Sequence, residues 1–395
     1  MSDPVPQRRP VRSRRSVRRA VAVSCLCMAL VGFGGSVLFI VLPGIASEFH
    51  AEVPALSRLG AILALGSAVA LPLSVAADRW RRGPMAALGI VGFSLAALVS
   101  SSAPDLAALA GARFAAVCFE ALVGAVAMAA AVEAVGPGNR GRTTSLLALS
   151  SGAGAALTVV AYPLLAPHWR TLYAAAAAIG LALAPVALLL PDRIGRGHGD
   201  VPVIFRPPWR GRLLVLGISA ALSGVFYEPV NFFAVLFGST RLQLSAATLS
   251  ALLAASGIAA AVGFGVGGLA SDRLGRRLPA VFLLVLSIAL AAVSYAPSPV
   301  LYVGAGLAAS LFAGASAPVV GAWTAELVPS RARATAYTAI GVAGALGGVS
   351  GLQLVAQFSP GLGLPGALWL MSAAALAGVA VLLMLPETRG IPLPD

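Results

Sequence analysis

The chain contains no lysine: all 27 of its Lys and Arg residues are arginine. That excludes a Gly-x4-Gly-Lys-Ser/Thr phosphate-binding loop, and with it the use of ATP through such a loop. Three cysteines, Cys25, Cys27 and Cys118, sit inside apolar stretches at spacings that fit neither a metal site nor a redox motif. The three histidines, His50, His168 and His198, stand far apart in connecting segments. A membrane-embedded enzyme needs clustered His, Asp or Cys, so no enzyme, no metal and no cofactor is expected. Charged residues make up only 10% of the chain, with 14 acidic groups in total. A soluble domain of 395 residues carries far more charge on its polar shell.

What the chain has instead is apolar length. It is 59% hydrophobic with 44 glycines, and its mean hydropathy is +0.92. Continuous apolar runs of 18 or more residues read as membrane-spanning helices, and the lack of period-two alternation excludes a barrel. Breaks at charged or Pro/Gly/Ser turns predict helices over 20–42, 56–77, 84–102, 105–131, 143–166, 170–191, 211–237, 245–270, 278–296, 299–323, 334–357 and 364–385. The expected fold class is an all-α polytopic membrane protein of twelve transmembrane helices in two pseudo-symmetric six-helix bundles.

With the N-terminus inside, the loops on the cytoplasmic side hold 23 Arg, against three outside (Arg58, Arg170 and Arg241), and Arg113 lies within the fourth span. This is the positive-inside asymmetry. The net charge of +13 therefore reports topology in a lipid bilayer rather than a nucleic-acid partner. Both termini are expected in the cytoplasm, with the chain multi-pass in the cell membrane. The Arg-rich leader before a first span too long for a signal peptide reads as an uncleaved anchor. Exclusive use of Arg hints at a GC-rich bacterial genome.

Two charged turns, Asp78-Arg79-Trp80-Arg81-Arg82 and Asp272-Arg273-Leu274-Gly275-Arg276-Arg277, lie 194 residues apart. Glu133, Arg140, Arg142 and Thr143 after the fourth span are echoed by Glu326, Arg331, Arg333 and Thr335 after the tenth. Leu190-Pro191-Asp192-Arg193 is echoed by Leu385-Pro386-Glu387-Thr388-Arg389. Matched sites at one offset indicate a duplication. An even number of spans per half makes the repeats parallel, related by an axis along the membrane normal. The expected organisation is a cytoplasmic N-terminus over 1–19, bundles over 20–191 and 211–385, a cytoplasmic linker over 192–210 and a tail over 386–395.

On these residues the chain resembles transporters of the major facilitator superfamily over essentially 20–390. Gly268, Asp272, Arg273, Gly275, Arg276 and Arg277 match the family's loop signature at every specified position. In the first copy Ser74 and Arg81 replace the two glycines. Glu326-Leu-Val-Pro329-Ser-Arg331 and Pro386-Glu387-Thr388-Arg389-Gly390 resemble signatures of the sugar-porter, organic-ion and metabolite:proton symporter branches. Arg113 matches the family's intramembrane Arg. The Gly-Pro-rich antiporter run of the fifth span is missing: Ser151-Gly152-Ala153-Gly154 stands there.

The resemblance implies gating by the loop network of Asp78, Arg79, Arg82, Asp272, Arg273, Arg276 and Arg277 with Glu133, Arg142, Glu326 and Arg331, forming when the cytoplasmic face shuts. The plainer alternative is that Arg fixes topology and Asp caps helices. Inside the spans, ionisable residues are costly. Arg113 and Glu120 share a face seven residues apart, a span of ~10 Å that is long for direct contact. Arg113 is thus expected to meet substrate or a neighbouring helix, and Glu120 to serve as structural partner or protonatable site. Glu228, followed by the kink-forming Pro229, is the sharper proton-coupling candidate. Asn231, Tyr227, Tyr162, Gln353 and Gln357 are substrate-binding candidates, against the alternatives of interhelical hydrogen bonds and interfacial anchoring.

The function expected is secondary active transport of a small organic solute by alternating access, coupled to protons, by a monomer. Symport and lipophilic-drug/proton antiport both stay open, as does a non-transporting sensor on the same fold.

Overall fold

The computed structural model describes residues 14–77, 81–135, 139–165, 168–191, 209–329 and 333–389. Among the described residues the regular structure is helical: α1 (Arg14–Glu48), α2 (Val53–Ala77), α3 (Arg82–Ser101), α4 (Leu106–Ala134), α5 (Arg140–Leu165), α6 (Trp169–Ala187), α7 (Trp209–Thr240), α8 (Ala246–Leu274), α9 (Arg277–Val293), α10 (Pro299–Leu327) and α11 (Arg333–Leu382). Nine of these are long and apolar enough to cross a membrane, and the apolar runs Val53–Val69 and Arg277–Val293 are shorter.

The helix count differs from the expected twelve at one place. α11 has 50 residues, which at 1.5 Å per residue would be ~75 Å, more than twice a ~30 Å hydrocarbon core. It is broken at Gly363, whose φ of 68° and ψ of 169° are not helical. Only glycine takes that conformation without strain. The two arms are the eleventh and twelfth spans, so twelve crossings remain consistent with the structure. α1 also outruns its expected 20–42, starting at Arg14 and passing through Pro43. Arginine is a good helix former, so charge moves the chain out of lipid without ending the helix. On the face away from the Arg-rich loops, α4, α8 and α10 start at side-chain caps. Asp105 accepts from Ala108 N, Ser245 from Thr248 N and Ser298 from Leu301 N, satisfying donors that a helix start leaves open.

The helices form two bundles, α1–α6 and α7–α11, whose pairings repeat. α1 packs on α5 as α7 packs on α11; α2 on α4 as α8 on α10; α3 on α4 as α9 on α10. Lipid tails are as apolar as leucine, so these crossings depend on close packing of small residues rather than on escape from water. A Cβ added at Gly154 would lie 1.9 Å from the carbonyl oxygen of Ala29, and one at Gly32 1.9 Å from that of Ser151. In the second bundle, Gly347 stands in the same way over Ala221, Gly351 over Val225 and Gly224 over Gly344. Outward faces are apolar where lipid must wet them, as at Leu164, Leu149 and Val300.

Crowding at the α1–α5 crossing gives a paired prediction. Gly152 has open space around its Cα while Gly154 has none. Gly154→Leu should cost about 1–3 kcal/mol by overpacking and lower the thermal midpoint of the purified protein by several degrees. Gly152→Leu, with the same change in helix propensity, should leave the midpoint within a degree. Equal shifts would show that the crossing is not close-packed.

Candidate functional site

Three places bring together polar and aromatic side chains within and between the bundles. The first is a seal between the bundles. Phe39 of α1 meets Phe232 of α7 edge-on at 5.9 Å between ring centroids. Gly60 of α2 lies under Phe232 and beside Leu352 of α11, where a Cβ would come within 3.0 Å and 3.2 Å of them. Ile40, Tyr162, Val235 and Leu249 form one buried cluster joining α1, α5, α7 and α8. All these residues lie in the parts of their helices remote from the Arg-rich loops. Tyr162, a substrate-binding candidate from sequence, is thus part of an apolar closure, buried between the two bundles.

The second place is inside the first bundle. Arg113 is 1% exposed, and its Nη2 stands 3.6 Å from Glu120 Oε1. Seven residues along α4 had looked too far for direct contact. The two long side chains lean towards each other along one helix face and close the gap. Arg113 Nη2 also donates to Gly34 O of α1 at 3.3 Å, and the guanidinium lies over the Tyr173 ring of α6 at 5.1 Å. The absence of a side chain at Gly34 makes room: a Cβ there would be 2.6 Å from Glu120 Oε1 and from the Phe93 ring. The cluster is buried but incompletely paired, since Arg113 Nε and Nη1, Glu120 Oε1 and Tyr173 OH have no hydrogen-bond partner among the described residues.

The third place is the α7–α11 crossing. Glu228 is half-buried, its Cβ and Cγ resting against Gly348, where an added Cβ would lie 3.0 Å and 2.9 Å away. Among the described residues its carboxylate has neither hydrogen bond nor ion pair. Past Pro229, Tyr295 OH, just after α9, donates to Val230 O, and Tyr302 OH of α10 to Ala234 O at 2.8 Å, tying α7 to its neighbours. Tyr227 does not join Glu228: its hydroxyl bonds Ser287 Oγ of α9 at 2.9 Å. Asn231 is exposed, and so are Gln353 and Gln357 of α11, none with a hydrogen-bond partner among the described residues.

At the Arg-rich face, Asp78, Arg79 and Arg331 lie outside the described residues, as does the side chain of Asp272. The charged partners that are described pair within a bundle. Arg82 of α3 binds Glu133 of α4. Arg276, between α8 and α9, binds Glu326 of α10 at 3.0 Å, and Thr388 also donates to Glu326. Arg142 and Arg273 are exposed. The expected pairing of Arg with Glu133 and Glu326 is thus present, and both pairs brace a single bundle. Arg277 donates to Leu383 O.

Glycine explains the unequal copies of the loop signature. Gly275 has φ 93°, and a Cβ there would sit 2.9 Å from Glu387 Oε2. Arg81, at the equivalent place, has an ordinary φ of −69°, so that turn does not require glycine. Gly268 has open space around it, and no close approach requires it.

Sequence reasoning missed Glu48, Trp169, Ser36 and Thr158. Glu48 accepts from Trp169 Nε1 and from Arg170, which also donates to Ser101 O and Ala103 O, binding the ends of α1, α3 and α6. Ser36 donates to Thr158 Oγ1 at 2.9 Å, and Thr158 to Phe33 O, across the α1–α5 crossing. Arg170, one of the three arginines outside the Arg-rich face, was the signal for the first of these.

Two repeated helical bundles with buried charge and an apolar closure between them define a polytopic transporter fold. The chain matches the Major Facilitator Superfamily over residues 24–241 and 216–394, and it belongs to that family of transporters rather than among enzymes. It is similar in fold to a bacterial homologue of the human lysosomal transporter Spinster, solved inward-facing. In the occupied form the TM-score is 0.80 at 15% identity, over 94% of this chain and 97% of that one. In the unoccupied form it is 0.77 at 18% identity, over 94% and 95%. The nucleoside transporter NupG matches with a TM-score of 0.74 at 12% identity, over 93% and 99%. The human organic anion transporter MFSD10 (TETRAN) matches with 0.66 at 16%, over 93% and 99%.

Glu387 yields a pH prediction. Burial pushes its carboxyl up, but the backbone N–H groups of Arg276, Arg277, Arg389 and Thr388 all point at it and hold it below the ordinary 4.5. A carboxylate held low in the folded state contributes stability above its unfolded value, and loses it as pH falls through the folded one. The thermal midpoint gap between wild type and Glu387→Ala should be constant from neutral pH down to about 5 and narrow below about 4. A gap that does not narrow in acid would overturn this role.

Proposed function

We propose that the chain is a proton-coupled secondary transporter that carries a small organic solute across a bacterial cell membrane by alternating access, its Arg-rich face towards the cytoplasm. The observation that carries this reading is the buried, incompletely paired Arg113–Glu120 cluster. Leaving charge and polar groups unpaired in a membrane core is expensive, so a site of this kind is kept for what its states can do. With a proton on Glu120, Arg113 loses its counter-charge and its hold shifts to Gly34 O and the Tyr173 ring. Gly34 belongs to α1, the helix that also carries Phe39 to the seal. Protonation of one side chain thereby acts on the helix that closes the passage, a bistable element biased from one site.

The proton role considered for Glu228 passes to Glu120 in this reading. Glu120 has a counter-charge whose pairing a proton can switch, and Glu228 has none to release.

The test uses proteoliposomes enclosing a pH-sensitive dye, challenged with a panel of organic cations, anions and sugars. Wild type should move protons with at least one solute. Glu120→Gln and Glu120→Asp should each bind that solute, with the Gln variant alone losing the proton movement while still exchanging labelled solute across the membrane. Proton movement by Glu120→Gln at the wild-type rate would sink the proposal.

A further inference from the structure

The two bundles superimpose their crossings but not their chemistry. Gly32, Ala29 and Phe33 of α1 face α5 as Gly224, Ala221 and Val225 of α7 face α11. On that register Ser36 corresponds to Glu228, and Thr158 to Gly351. In the first bundle the two hydroxyls bond each other and the Phe33 carbonyl. In the second bundle the hydroxyl of α1 has become a carboxylate, and the hydroxyl facing it has become a hydrogen. The space beside Glu228 is thus left by Gly348 and Gly351, with no donor in the place where Thr158 supplies one.

The charge inventory of the membrane interior points the same way. Away from the helix ends the described helices carry three ionisable charges: Arg113, Glu120 and Glu228. The first two face each other, which leaves the Glu228 carboxylate uncompensated. Glu228 lies one turn from Phe232 on the same face of α7, on the Arg-rich side of the Phe39–Phe232 seal, with Phe233 edge-on to Phe232 at 5.0 Å. A carboxylate one turn from aromatic rings, with the neutral Asn231 at i+3 as the other polar group, matches an ion of opposite sign carrying apolar groups.

We propose that Glu228 is the binding carboxylate for an organic cation, an amine or onium ion with apolar substituents, seated between the bundles below the Phe39–Phe232 seal. This names the substrate class of the transporter proposed above and rests on that reading. The bound cation supplies the counter-charge that the protein withholds, and the seal aromatics supply its apolar contact. A neutral or anionic solute would leave the carboxylate unpaired or repelled.

Tetraphenylphosphonium and tetraphenylborate share shape and differ in sign. Their binding to the full chain in nanodiscs of uncharged phosphatidylcholine, less the uptake of protein-free discs, tests the proposal. Wild type should bind tetraphenylphosphonium saturably and tetraphenylborate not at all. Glu228→Gln should weaken phosphonium binding by about tenfold or more, and Glu228→Asp should retain it to within a few-fold, with thermal midpoints confirming that both variants are folded. Equal phosphonium binding by wild type and Glu228→Gln, or saturable binding of the borate, overturns the assignment. Should Glu228→Gln fail to fold, Gly351→Thr, which returns the missing donor beside the carboxylate, should weaken phosphonium binding by itself, and unchanged binding then overturns it. Proton movement driven by a neutral or anionic solute, unchanged in Glu228→Gln, would remove the cation and leave the transporter. Phosphonium binding lost in Glu228→Gln, without proton movement by any solute, would do the reverse.

Discussion

Everything in this molecule is positioned by backbone meeting backbone at glycine. In water, two helices associate because apolar surface leaves solvent; in lipid that drive is absent, and attraction must come from contact itself. At the α1–α5 and α7–α11 crossings the axes approach until a glycine Cα faces a carbonyl of the partner helix, a geometry that favours dispersion and weak Cα–H···O contacts. Those two crossings set the depth and rotation of α1 and α7. They therefore decide that Phe39 and Phe232 meet, that Gly34 leaves room for Glu120, and that Glu228 rests on Gly348.

Duplication supplies two equal frames, and the differences between them carry the chemistry. The first bundle encloses a cation and its counter-charge, Arg113 and Glu120, and satisfies its central crossing with two hydroxyls. The second has a glycine where one of those hydroxyls was and, in place of the other, a carboxylate with no partner among the described residues. A difference of this kind is visible only against the register of the repeat, because a lone Glu in one helix has no reference. Comparison of Ser36 with Glu228, and of Thr158 with Gly351, gives that reference.

The sequence made the frame legible because each part of it is a strong, local signal. Long apolar runs, Arg on one side and loops repeating at one offset are read without any contact map. Span ends were less legible where Arg does not stop a helix, as at the start of α1, whereas the break at Gly363 falls between the expected spans 334–357 and 364–385. The site was legible by residue type more than by partner. Arg113, Glu120 and Glu228 stand out because charge is rare in the spans. Whether Arg113 reaches Glu120 depends on side-chain direction along a helix, which spacing alone misjudged. Tyr162 and Tyr227 looked like ligand groups by type. One proves to be in the seal and the other in a bond to Ser287, and only packing distinguishes these.

The two faces of the molecule are held by different forces, and the difference decides how a rocking cycle would be driven. At the Arg-rich face, Arg82–Glu133, Arg276–Glu326 and the Glu387 cap all bind within one bundle. Rigid-body motion leaves such bonds intact, so they stiffen each half without opposing its movement. At the other face, the contacts between Phe39, Phe232, Ile40, Tyr162 and Val235 run between bundles, and opening there would expose them. A large aromatic ring buries 150–250 Å², so at ~25 cal/mol per Å² the separation of one such pair costs on the order of several kcal/mol. A tenfold change in population corresponds to about 1.4 kcal/mol. The apolar seal alone is therefore large enough to hold that face closed, and among the described residues the charged pairs of the Arg-rich face, each within one bundle, do not oppose its opening.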